Sequence, residues 1–298
     1  QAPFAQEQMH TGLLRPDSSE AEAAVEAAQV ARELRELSGR TELQGLRVHA
    51  PVALLFDYDA LWMSQIQPQG ADYNALELCF RVYSALRLLG LDVDIVSPRA
   101  ALGGYRLVVL PAQLHVPDDL LQRLSHGEAH LVLGPRAGSK TADLQIPPEL
   151  APGPLGALSG VRVQRVASLP PGLVDNVAWA DGTVTQARRW REDFRLDDAH
   201  AEAQFADGRA AVARRGRVRS VAAWLDAAGW RQVLRAAALD AGLAPVDLPD
   251  TLRLSRIGGL TVVTNFSDQE VVFQPPGTRH PLLGDQTLAP CGVAVWAA

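Results

Sequence analysis

Three groups of residues in this 298-residue chain have types and spacings that could do chemistry. Gly134-Pro135-Arg136-Ala137-Gly138 has the spacing of the G-x-S-x-G turn, in which a sharp strand-to-helix bend exposes a nucleophile. Its central residue is Arg136, whose guanidinium stays protonated and cannot attack an acyl carbon. Ser139 lies outside the turn, so the motif reads as a tight turn with a surface arginine. Glu7 and His10 place a carboxylate and an imidazole where both reach one small polar ligand, although composition alone reads them as solvated. The third group is a polar loop, Asp57-Tyr58-Asp59-Ala60-Leu61-Trp62, behind the first apolar strand. Open α/β sheets place ligands at such carboxyl ends. Trp62 could stack on a sugar face, plug a subunit interface or enter the core, and it is an interface candidate.

No metal site is expected. There is no H-E-x-x-H motif, the histidines are scattered singly, and only Cys79 and Cys291 carry thiols. Two cysteines also exclude a disulfide framework and fit a reducing, cytoplasmic compartment. A net charge of −6 removes the bulk electrostatic case for nucleic acid or anionic membrane as partner. No stretch approaches the roughly 18 apolar residues of a membrane span. A charge-rich helix is expected over 19–38, with Ser19 and Glu22 as a capping box and Ala23, Ala27, Val30, Leu34 and Leu37 on one face.

The elements that must position these groups follow a repeating plan. Short apolar strands are expected at 52–56, 91–96, 107–110 and 131–133. Helices are expected at 73–89, where Leu76, Cys79, Phe80, Tyr83 and Leu86 share a face, and at 118–124. The alternation predicts an open, mostly parallel sheet covered by helices on both faces. Prolines and glycines interrupt 139–215, leaving short β segments near 161–166 and 210–213. A helix is expected over 221–241, and Pro245 and Pro249 mark a linker. Four strands then follow, at 251–257, 260–266, 270–274 and 293–296, with Gly258-Gly259 as a tight hairpin turn between the first two.

Several segments, in order, resemble glycoside hydrolase family 42 β-galactosidases. Residues 1–14, QAPFAQEQMHTGLL, are similar to the end of that family's catalytic barrel. VALLFDYD from Val52, LRLLGLDVD from Leu86, YRLVVLP from Tyr105 and GPRAG from Gly134 resemble its trimerisation domain. VVTNFS from Val262 and LAPCGV from Leu288 resemble its small C-terminal β domain.

The resemblance implies an α/β protein in three parts. Residues 1–48 would be the last βα unit of a truncated (β/α)₈ (TIM) barrel, since a complete barrel takes roughly 250 residues. Residues 49–245 would be the trimerisation domain, a flavodoxin-like or class I amidotransferase-like open parallel sheet, and 246–298 a small antiparallel, sandwich-like β domain. The family removes terminal β-galactose with retention, which needs an acid/base carboxyl and a nucleophilic carboxyl about 5 Å apart. Both glutamates would lie upstream of residue 1, so no catalytic residue is expected in this chain. Glu7 and His10 match the positions that hydrogen-bond the galactose hydroxyls. The expected partners are a β-galactoside in the parent enzyme and two further copies in a homotrimer, with no cofactor. The alternative is a stand-alone trimeric scaffold or carbohydrate-binding protein.

Overall fold

The computed structural model describes residues 12–38, 48–278 and 280–297. Its centre is an 11-stranded sheet in which parallel and antiparallel halves are continuous. The parallel half comprises β1 (Val52–Leu55), β2 (Val93–Val96), β3 (Leu107–Leu110), β4 (His130–Leu133) and β10 (Val218–Val221), in the order β2-β1-β3-β4-β10. Alternate residues along each strand face opposite sides. Val52, Leu54, Leu107, Val109 and Val132 enter one apolar core, and Ala53, Leu55, Val108, Leu110, Leu131 and Leu133 enter another. Both faces are therefore dry over β1, β3 and β4, as their apolar strand sequences require, while edge strand β2 exposes Asp94 and Ile95.

The first face is covered by α3 (Ala75–Leu88) and α6 (Ala227–Asp240), which pack on each other and on the sheet. The second is covered by α4 (Asp118–His126), through Leu120 and Leu124, together with Leu155, which leads into the short α5 (Gly156–Ser159). Asn74 caps α3 by accepting from the Glu77 N–H at 3.1 Å. The buried face of α3 is Ala75, Leu78, Cys79, Val82, Ala85 and Leu86, leaving Leu76 and Phe80 exposed. This corrects the expected face by part of a turn. The helix is apolar around much of its circumference, so spacing alone did not select the side that meets the sheet.

The segment behind Phe56 is helix rather than loop. Asp57 accepts from the Asp59 N–H at 3.0 Å and starts α2 (Tyr58–Ile66). The expected helix over 221–241 begins only at Ala227, because Val221 ends β10 and Trp224 lies in β11 (Ala223–Leu225). The first helix, α1 (Glu22–Ser38), buries none of its residues. Its expected capping box is not formed: the Ser19 hydroxyl donates to the Asp17 carboxylate at 2.6 Å.

Residues 139–215 supply the antiparallel half. Its strands are β5 (Val161–Ser168), β6 (Asp175–Trp179), β7 (Val184–Leu196), β8 (His200–Phe205) and β9 (Ala210–Arg215). They run from β10 through β9, β8 and β6 to β7, whose other pairings are β5 and β11.

A separate antiparallel sheet closes the chain: β12 (Leu252–Ile257), β13 (Leu260–Asn265), β17 (Val293–Ala297) and β15 (Pro281–Leu283), in that order. Ile257 pairs with Leu260, so the turn is the expected Gly258-Gly259. A two-stranded ribbon, β14 (Val271–Val272) with β16 (Thr287–Leu288), lies beside it over a core containing Trp296 and Leu254. No helix of the described residues is long and apolar enough to cross a membrane.

Candidate functional site

Strand β4 ends in the G-x-R-x-G turn, and the turn has the strained shape its spacing implies. Arg136 adopts φ of 66°, a left-handed conformation uncommon for a side-chain-bearing residue. Gly134 and Gly138 cannot be replaced freely, because a Cβ there would run into the carbonyls of Pro111 and Pro152. The expectation of a surface arginine is corrected: Arg136 is only 4% exposed. Its guanidinium lies 5.5 Å from the centroids of both the Tyr73 and Trp190 rings. Tyr73 in turn meets Trp224 edge-on at 5.2 Å.

Glu192 completes this cage. One carboxylate oxygen accepts from the Arg136 N–H at 2.8 Å and from the Trp190 indole N–H at 3.0 Å. Trp190 and Glu192 are two apart on β7, so they face the same side. Burial pushes the Glu192 carboxyl up to about 7, against the pull of its two donors and of Arg136. The same burial lowers the Arg136 pKa. Cys79 is the nearby buried thiol, and burial pushes it up to about 12, far from the thiolate needed for attack. The elbow therefore holds a cation between aromatic rings in place of a nucleophile, and its chemistry is packing.

The sequence reading did not find Tyr73, Trp190, Trp224 or Glu192. The available signal was Trp190-x-Glu192, an alternating pair inside a stretch that lacked a clean strand pattern.

The second feature opens at the carboxyl ends of β1 and β2. A cleft of about 690 Å³ is lined by Phe56, Tyr58, Trp62, Ser97, Arg99 and His115 among others. Tyr58 and Trp62 are one helical turn apart on α2, with ring centroids 6.1 Å apart. Trp62 is 55% exposed, which excludes the core reading. Asp57 is fixed at the cleft floor, where the Gln113 amide donates to it at 2.8 Å. Trp62 and Arg136 thus stand at the ends of two different strands and do not form one site. Glu7 and His10 lie outside the described residues. Among the described residues, no cluster of three or more His, Cys, Asp or Glu could hold a metal ion.

Comparison with known proteins bears on all of these features together. The model of the β-galactosidase trimerisation domain matches residues 50–244. β-Galactosidase BgaA of Thermus sp. is 44% identical over 99% of this chain and 45% of its own length. The β-galactosidase of Thermus thermophilus is 43% identical over the same shares. The crystal structure of the β-galactosidase from the psychrophilic Marinomonas ef1 superposes with a TM-score of 0.93 at 39% identity, covering 100% of this chain and 46% of that one. The chain thus spans about half the length of the curated relatives it matches. With the domain model matched across both the parallel sheet and its antiparallel extension, this chain belongs to the glycoside hydrolase family 42 β-galactosidases, through their trimerisation domain.

Proposed function

We propose that this chain is the trimer-building, C-terminal part of a retaining β-galactosidase that hydrolyses terminal β-D-galactosyl residues. The observation that carries the reading is the 44% identity to a β-galactosidase maintained across 99% of the chain. In this reading residues 1–48 are the last βα unit of the catalytic barrel, and Glu7 and His10 hydrogen-bond the galactose hydroxyls. The acid/base and nucleophile carboxylates that retention requires belong to the remainder of the barrel.

Residues 49–245 form a flavodoxin-like, amidotransferase-like domain. The parallel order β2-β1-β3-β4-β10 supports this, since it is the doubly wound order of that fold class. So does the elbow after β4, which keeps the bend of an amidotransferase-like site without its nucleophile. Residues 246–298 are the sandwich-like C-terminal domain. The contacts that build a homotrimer lie on 49–245, with Trp62 near them. Exposed Leu76 and Phe80 on α3 and Ile66 on α2 are apolar surface of the kind subunit contacts cover. Two unpaired cysteines agree with a cytoplasmic protein.

The test is assembly and turnover measured on one sample. Light scattering should give a particle of three times the 32.0 kDa chain mass. The same sample should release no nitrophenol from a nitrophenyl β-galactoside. A strict monomer at high concentration counts against the assembly role. Turnover that disappears when a residue of this chain is substituted overturns the division of labour.

A further inference from the structure

The cleft beside Trp62 has a chemistry that the assembly role leaves unused. Its aromatic wall is two side chains on one exposed helix face, with Tyr58 62% and Trp62 55% exposed. The exposed Trp62 indole offers a flat apolar surface to the face of a ring, with the Tyr58 ring tilted 40° beside it. The polar groups around it are chiefly acceptors. Asp59 lines the cleft, and its exposed carboxylate has no side-chain partner. The His115 Nδ1 lies 3.3 Å from the Lys140 carbonyl, which leaves Nε2 as the ring's acceptor. Arg99 lines the same cleft and supplies donors.

This set discriminates among ring-shaped ligands. A nucleotide in an open α/β sheet rests its phosphate on a helix N-terminus. Here Asp57 and Asp59 put two carboxylates at the start of α2, and they would repel a phosphate. A neutral polyol has the opposite pattern: hydroxyls that donate to carboxylate and imidazole, and an apolar C–H face for the indole. We infer that the cleft walled by Tyr58 and Trp62 binds the pyranose ring of a neutral sugar, stacked on the Trp62 indole with its hydroxyls donating to Asp59. This uses only groups of the cleft itself, and it requires that the trimer contacts near Trp62 leave the cleft open.

Tryptophan fluorescence reads the site cleanly. The other five tryptophans are 9% exposed or less, so acrylamide quenching in the full 298-residue chain reports on Trp62. Methyl β-D-galactopyranoside or lactose should shield Trp62 from acrylamide, with a half-effect at ~1–10 mM for so open a site. The shielding should weaken roughly tenfold in Asp59→Ala at unchanged melting temperature. Quenching that is the same with and without either sugar overturns the inference. So does a Trp62 already shielded in the free chain, since the cleft is then closed. Light scattering on the same sample separates the two readings: a trimer with an unprotected Trp62 sinks the sugar site alone, and a monomer that binds sugar sinks the assembly role alone.

Discussion

At the residue scale, the most informative side chain is Glu192. Its partners, the Arg136 N–H and the Trp190 indole N–H, both favour the ionised form, yet burial outweighs them and holds the carboxyl near 7, above its ordinary 4.5. A carboxyl raised on folding holds its proton more tightly in the folded state. The stabilisation this gives is fully present below about 4.5 and is lost as pH rises through about 7. Glu192→Gln keeps an acceptor for both donors and removes the titration. Its stability relative to the wild type should therefore rise with pH between these limits, by an amount on the order of 3 kcal/mol. Urea unfolding at pH 5 and pH 8 checks this, and an equal gap at both values means that Glu192 does not titrate in that interval. Arg136 shows a related point. The spacing of its neighbours announced a bend, but the burial of a charge between two rings depended on Tyr73 and Trp190, which lie 63 and 54 positions away in the chain.

At the scale of elements, glycines with similar backbone angles have unequal jobs. Gly138 ends the elbow with φ of 60°, and a Cβ there would strike the backbone of Pro152. Gly216 turns the β9–β10 hairpin with φ of 54°, and a Cβ there would meet nothing within 4 Å. Left-handed backbone alone costs a side-chain-bearing residue roughly 1–2 kcal/mol. Gly216→Ala should lose about that much stability. Gly138→Ala adds a clash between two rigid backbones and should lose more than about 4 kcal/mol, or fail to fold. Denaturant midpoints of the two variants measure the difference, and equal losses would mean that the elbow relaxes freely.

At the scale of the molecule, the C-terminal antiparallel sheet is fastened to the α/β body through a few polar groups. Arg87, at the end of α3, donates to the Leu254 carbonyl at 2.9 Å and the Ser255 hydroxyl at 2.7 Å in β12, and also pairs with Asp92 at 3.0 Å. Asp92 accepts from the Arg256 N–H at 2.9 Å, so the carboxylate is shared between the two bodies. Removing one member of such a buried pair strands the other, at a cost of about 3–5 kcal/mol. Arg87→Ala should therefore split the thermal transition, with the C-terminal sheet melting first. Arg87→Lys should recover little, because an ammonium cannot make the forked contacts. Calorimetry that still shows one transition for Arg87→Ala would place the coupling in apolar packing instead.

Local sequence determined those parts of this protein whose cause is local. Short apolar runs such as Val52–Leu55 and Leu107–Leu110 read as strands buried on both faces, and Gly258-Gly259 between two strand-like runs reads as a hairpin turn. Glycines at fixed offsets around Arg136 likewise announced a bend. Tertiary structure decided the rest. In α3 the apolar residues wrap the helix, and only the position of the sheet chose Leu78 and Val82 over Leu76 and Phe80. The strands of 139–215 carry arginines and aspartates that pair across neighbouring strands, as Arg191 of β7 does with Asp175 of β6, and such pairing leaves no apolar period to read. The arginine cage joins the end of β4 to the middle of β7 and to Tyr73 just ahead of α3, the cleft beside Trp62 gathers residues from several strand ends, and only the folded sheet brings these places together.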